Sequence, residues 1–194
     1  MNASQVVDEL FRVFAERGHR SYGERVTEQM HALQCATLAR ERNESPEVVA
    51  ACLLHDFGHL LHSLGEDVAD HGIDARHEQV GANCLSKWFG PSVVEPIRLH
   101  AASKRYLCWS EPEYFSGLSA ASRKSLALQG GPMNAEEASD FESGAFFREA
   151  LRVRRFDDLG KDPELQTPPL EAFRLLLESL VCVGGIADSQ AAGA

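Results

Sequence analysis

An all-α, single-domain helical bundle is what this sequence predicts, and three observations predict it. Apolar residues recur three and four positions apart in segment after segment, as in helices with one buried face. No stretch carries the period-two alternation of a half-buried strand. The 194 residues show no repeat and no linker, which suits one domain with a sizeable core.

The first helix runs through Val6, Val7, Leu10, Phe11, Val13 and Phe14, and Gly18 stops it. Ser21-Tyr22-Gly23-Glu24 reads as a loop into a second helix through about Arg42, with Val26, Met30, Leu33, Cys35, Thr37 and Leu38 inward. Ser45-Pro46-Glu47 reads as cap, first-turn proline and first-turn acid of a buried helix, Val48 to Leu54, that delivers His55 and Asp56 side by side. His59 follows His55 at i+4, and Gly58 keeps that face uncrowded. The polar run from Leu60 to Arg76 reads as a solvated loop or as an acidic lid facing a cationic group. His77 opens a helix with Val80, Ala82, Cys84, Leu85 and Trp88 that Gly90-Pro91 ends, and Ser92 caps the next, from Val93 to about Lys104. From Tyr106 to Met133 the pattern is loop, short helix, loop. Asn134 with Glu137 forms a capping box for a helix through Phe141. Phe146, Phe147, Ala150, Leu151 and Val153 carry a further helix on which Arg154 and Asp157 are neighbours. An extended link over 165–169 precedes a closing helix, Ala172 to Val183. The domain is expected over residues 1–188, with 189–194 a frayed tail.

Composition narrows the function. A formal charge of −10 and a pI near 5.2 argue against a nucleic-acid surface. Five cysteines without a Cys-x-x-Cys pair read as reduced, mostly buried thiols, and the start lacks an export signal, so a cytoplasmic location is expected. No apolar run is long enough to cross a bilayer.

The chemistry concentrates in His31, His55, Asp56, His77, His100 and Asp157, each on a helical segment. For His31 a hydrogen-bonded core histidine competes with a ligand, and for Arg154 with Asp157 a plain ion pair is the simpler reading. If the helices converge, these side chains would bind two metals, because only a carboxylate such as Asp56 spans two ions. One metal would take His31, His55, Asp56 and Asp157; the other would take Asp56, His77 and His100 and remain open for substrate. The donor set suits iron, zinc or manganese and lacks the thiolates of a structural zinc site. Lys104, four residues after His100, lies on its face and is placed to hold an anion at that metal.

His31, the His55-Asp56 pair and Asp157 resemble the H…HD…D pattern of the HD-domain superfamily, mostly metal-dependent phosphohydrolases. His77-Glu78 with Val80-Gly81-Ala82, His100 with Lys104-Arg105-Tyr106-Leu107, Ala121-Ser122-Arg123-Lys124, Gln129-Gly130-Gly131-Pro132-Met133, and Arg154 with Asp157 are similar to the PhnZ/TmpB-type di-iron oxygenases within it. That resemblance implies an HD bundle with a mixed-valence Fe(II)/Fe(III) pair that uses molecular oxygen to cleave the carbon–phosphorus bond of a 1-hydroxyphosphonate. It implies that His59, Lys104, Ser122 and Arg154 hold the phosphonate, that Tyr22 gates the open iron, and that Glu24 faces the substrate amine. Tyr22 and Glu24 stand one residue closer together here than in the family pattern. The substrate implied is (1R)-1-hydroxy-2-(trimethylammonio)ethylphosphonate, giving glycine betaine, or 2-amino-1-hydroxyethylphosphonate, giving glycine. Asp70 and Asp74, with Glu24 and Tyr22, would serve either nitrogen end, and the acidic loop before His77 tilts the reading to trimethylammonium. A phosphohydrolase acting on a nucleotide or small phosphate ester through metal-bound water is the alternative.

Overall fold

The computed structural model describes residues 1–22, 25–61 and 76–182. Among these it is all-α apart from one two-residue ladder and an isolated bridge between Phe89 and Val181. Helix α1 (Ala3–Arg17) lays Val6, Val7, Leu10 and Phe14 on the core, and Asn2 caps it in a reciprocal box with Gln5. The ladder pairs β1 (Ser21–Tyr22) with β2 (Val26–Thr27), antiparallel, where a loop over Ser21–Glu24 and then helix from Val26 were expected. Two residues per strand are too few to show alternation. Thr27 then caps α2 (Glu28–Glu41) by accepting from the Met30 amide.

Helix α3 (Pro46–Leu54) is the axis of the molecule. As predicted, Ser45 caps it and Pro46 opens it, and every residue from Val48 to Leu54 is buried. An element apolar on all sides must be wrapped, and α2, α6 (Pro91–Ser110), α10 (Phe147–Leu159) and α11 (Arg174–Leu180) pack around it. His55 and Asp56 form the joint between α3 and a short α4 (Phe57–Leu61), which lies against α5 (His77–Leu85). The α4–α5 approach is backbone on backbone. A Cβ on Gly58 would lie 2.7 Å from the carbonyl carbon of His77 and 2.9 Å from the Gly81 nitrogen.

Several boundaries differ from expectation, among them the closing helix expected from Ala172 to Val183. Gly90-Pro91 starts α6, with Gly90 as N-cap and Pro91 in the first turn, so Ser92 is not the cap. Helix α6 continues six residues past Lys104 to Ser110, because its apolar face passes from the main core to a small satellite of Cys108, Leu118 and Leu126. That satellite includes α7 (Pro112–Gly117) and α8 (Ala120–Leu128), two helices where one was expected. The predicted capping box of Asn134 and Glu137 opens α9 (Ala135–Glu142). The closing segment is a 3-10 turn, Leu170–Phe173, followed by α11. The predicted tail 189–194, Glu24, and the loop carrying Asp70 and Asp74 lie outside the described residues. No helix among those described is long and apolar enough to cross a membrane.

Candidate metal centre

Five helices and one joint deliver the predicted ligands to a single point. His31 comes from α2, His55 ends α3, Asp56 sits in the joint, His77 starts α5, His100 rides on α6 and Asp157 on α10. All except His77 are buried. Asp56 stands between two groups of nitrogens. Its Oδ2 lies 3.2 Å from His55 Nε2 and 3.5 Å from His31 Nε2, while its Oδ1 lies 3.3 Å from His77 Nε2 and 3.5 Å from His100 Nε2. Asp157 Oδ1 completes the first group, 3.5 Å from His31 Nε2. The carboxylate thus turns one oxygen to each cluster, as a bridging ligand must.

The hydrogen bonds behind the rings fix which nitrogen faces inward. His31 Nδ1 lies 2.7 Å from the Gly160 carbonyl, His55 Nδ1 2.9 Å from that of Cys52, and His100 Nδ1 2.7 Å from that of Ile97. A carbonyl only accepts, so each Nδ1 carries the hydrogen and each Nε2 presents its lone pair. Yet His31 and His55 set these Nε2 atoms 3.1 Å apart, and His77 and His100 do the same. Lone pairs so close require a cation between them. Burial opposes charge on His55, but Asp56 and then Asp157 push its pKa up to about 9. Burial lowers His31 and His100, whereas the carboxyls of Asp56 and Asp157 lie well below the usual range despite their burial. His55 is the main cause for Asp56, and Arg154 with Lys161 for Asp157. Anionic carboxylates and inward imidazole lone pairs fit a metal in each cluster.

Cys35 also lies within ligand range of His31 and His55, which the sequence reading missed. Its Sγ sits 3.3 Å from the Phe156 carbonyl, and burial pushes the thiol well up, so it packs behind His31 as a thiol.

A cationic wall flanks the clusters. Lys104 is buried, and desolvation, then Arg154, bring it down to about 8. Its Nζ donates to Ser125 Oγ at 2.7 Å, one turn along α8 from the predicted Ser122, whose amide is the α8 cap donor to Ser119. Arg154 donates to Asp157 Oδ2 at 2.5 Å, to Asp158, and through Nε to the Tyr114 hydroxyl at 2.8 Å. The simple ion-pair reading of Arg154 and Asp157 is therefore what the structure shows. Tyr114, Asp158 and Lys161, the last 3.2 Å from Asp157, were not singled out from sequence. Tyr114 falls in the stretch read as loop, while Lys161 stands at i+4 from Asp157, a spacing that could have revealed it.

The remaining predicted residues sit at the rim. Tyr22 stacks on His31 at 3.8 Å between ring centroids and donates to Asp157 at 3.3 Å. Burial and then Asp157 push its phenol well up. His59 does not stack beside His55 as the i+4 spacing suggested, because the helix breaks at the joint. It stacks on His77 at 4.1 Å, with Nε2 3.9 Å from Asp56 Oδ1.

Comparison with known proteins agrees with this geometry. The HD-domain family matches residues 29–137. The chain is 38% identical over 182 residues, 93% of each sequence, to a [1-hydroxy-2-(trimethylamino)ethyl]phosphonate dioxygenase (glycine-betaine-forming) of Leisingera caerulea. It is 42% identical over 175 residues, 89% of this chain and 87% of the other, to a hydroxymethylphosphonate dioxygenase of Gimesia maris. A third relative, the uncharacterized protein L432 of Acanthamoeba polyphaga mimivirus, is 32% identical over 176 residues, 89% of this chain and 80% of its own.

Proposed function

The chain belongs to the HD-domain family, and from that premise we propose that it is a di-iron dioxygenase cleaving the carbon–phosphorus bond of a 1-hydroxyphosphonate. The observation that carries the reading is Asp56, with one oxygen turned to each of two imidazole clusters, in a chain whose relatives are named as phosphonate dioxygenases. Both named substrates have a hydroxyl on the carbon that bears phosphorus and differ beyond it. We assign (1R)-1-hydroxy-2-(trimethylammonio)ethylphosphonate as substrate, with glycine betaine and phosphate as products. One dioxygen balances the reaction: the carbon ends as a carboxylate, phosphorus leaves as phosphate, and both oxygen atoms are incorporated.

An Fe(II)/Fe(III) pair held by His31, His55, Asp56 and Asp157 on one side and Asp56, His77 and His100 on the other would supply the dioxygen chemistry. The protein's own groups do the rest. Lys104 and Arg154, with the α8 hydroxyls of Ser122 and Ser125 and the ring of His59, hold the phosphonate, whose charge needs such partners once water is expelled. Charge-assisted hydrogen bonds of this kind are worth about 1.5–3 kcal/mol each. The second cluster has three protein ligands to the first cluster's four, so substrate binds there. Tyr22, expected to gate the open iron, instead stands beside the closed cluster, over His31 with its hydroxyl on Asp157. Glu24 is assigned to the ammonium end of the substrate. The phosphonate is a small-molecule partner of a chain that needs neither nucleic acid nor membrane, and we place it in the cytoplasm.

The test is phosphate release from iron-loaded protein, with and without oxygen, on the trimethylammonio, 2-amino-1-hydroxyethyl and hydroxymethyl phosphonates. Release only in oxygen, fastest on the first, is expected. Equal release without oxygen would exclude the oxygenase.

A further inference from the structure

Three of the four cluster histidines are anchored on backbone, and the fourth has no backbone anchor among the described residues. His55 and His100 each lie 2.7–2.9 Å from a carbonyl three residues back on their own helix, and His31 reaches the Gly160 carbonyl across the bundle. His77 has no such carbonyl among the described residues. It is the first residue of α5, preceded by Arg76 in the left-handed conformation at φ 45°, which ends any helical path backward. Its Nε2 is committed inward, 3.1 Å from His100 and 3.3 Å from Asp56. Its Nδ1 faces Glu78 Oε2 at 3.6 Å. That carboxylate oxygen is buried, and no hydrogen-bond donor among the described residues reaches it. Glu78 as a whole is only 8% exposed. A buried carboxylate oxygen without a donor is costly and rare, and here it stands a few tenths of an ångström beyond hydrogen-bond range of the one ring lacking a backbone anchor.

We propose that Glu78 is the positioning residue of His77: its Oε2 accepts the Nδ1 hydrogen when Nε2 is drawn onto a metal, and so orients the ring for the second cluster. The inference rests on the two-metal reading above. A carboxylate in this position fixes the tautomer, sets the ring plane and makes the imidazole a stronger donor. It also explains why an acid is tolerated in the first turn facing the interior of α5, where the neighbouring buried positions are Gly81, Ala82 and Leu85.

The experiment titrates metal-free full-length protein with Co(II), for wild type, Glu78→Gln and Glu78→Met, and follows thermal unfolding of the same metal-free samples. Wild type binds two ions. Both variants keep the tighter ion and lose affinity for the second, by about tenfold in Glu78→Gln, which retains an accepting oxygen, and up to about 100-fold in Glu78→Met. Metal-free Glu78→Met unfolds no earlier than wild type, because an apolar chain of similar shape replaces an unpaired buried acid. In Co(II)-loaded protein, one metal-shifted, exchangeable histidine N–H proton moves in Glu78→Gln while those of the backbone-anchored rings stay. Two ions bound with unchanged affinities in both variants overturn the proposal alone, as does equal loss of both ions. A wild type that binds a single ion overturns the two-metal reading as well.

Discussion

Replacing Gly58 by alanine adds one methyl group at the tightest backbone approach to a glycine among the described residues. The new Cβ would stand 2.7 Å from the His77 carbonyl carbon, closer still to its oxygen, and 2.9 Å from the Gly81 nitrogen. Ordinary carbon–carbon contact begins near 3.5 Å, so the start of α5 must retreat by at least about 0.8 Å. Metal–ligand distances tolerate about 0.2 Å. His77 is therefore carried out of range of an ion shared with Asp56 Oδ1 and His100, while His31, His55, Asp157 and Asp56 Oδ2 stay in place. Overpacking costs about 1–3 kcal/mol and alanine in a helix returns about 1, so the fold loses at most about 2 kcal/mol. For a chain of this size that lowers Tm by no more than about 8 °C. Iron analysis after anaerobic loading should give one ion per chain where wild type gives two, and phosphate release should fall about 100-fold or more. A Gly58→Ala protein holding two irons at the wild-type rate would refute the argument that this contact sets the second cluster, and loss of both irons would refute the independence of the first.

Asp56→Ala removes the shared ligand, so iron analysis should show both ions lost, and retention of two would contradict the bridging role. Lys104 gives a pH dependence in two directions. Its folded pKa of about 8 lies below the ordinary lysine value, so charging it costs the fold roughly 3 kcal/mol below pH 8, and that cost fades as pH rises from 8 toward 10.5. Phosphonate binding needs the charge, so kcat/KM should fall about tenfold per unit above pH 8, and Lys104→Met should abolish that slope in a steady-state profile. Tyr114→Phe takes the oxygen from Arg154 Nε and the donor from Asp158; KM for the phosphonate should rise about tenfold with kcat and iron content little changed, and an unchanged KM would dismiss the contact.

Much of the centre was legible because its ligands sit at helix positions whose spacing is visible. His55-Asp56 follows a capped apolar run, and that run is the buried axis around which the other ligand-bearing helices pack. What spacing cannot convey is the turn on which two helices meet. Ser122 and Ser125 are one turn apart on α8, and only the height at which α8 docks decides that Lys104 reaches the second. Nor could periodicity carry α6 past Lys104, since beyond that point its apolar side faces a different, smaller core. The break at His55–Asp56 was likewise hidden: five consecutive residues at helical spacing do not reveal that the backbone stops and restarts, and that break is what turns His59 toward His77. Cys35 and Tyr114 carry no local pattern at all, and only tertiary contact gives them meaning.

The first cluster closes with Asp157, which α10 supplies late in the chain, whereas His31, His55 and Asp56 are synthesised early. A polypeptide emerging from the ribosome therefore presents two imidazoles and one carboxylate to solvent for most of its translation, with the last donor still unmade. The first cluster therefore has its four candidate donors together only once α10 has docked.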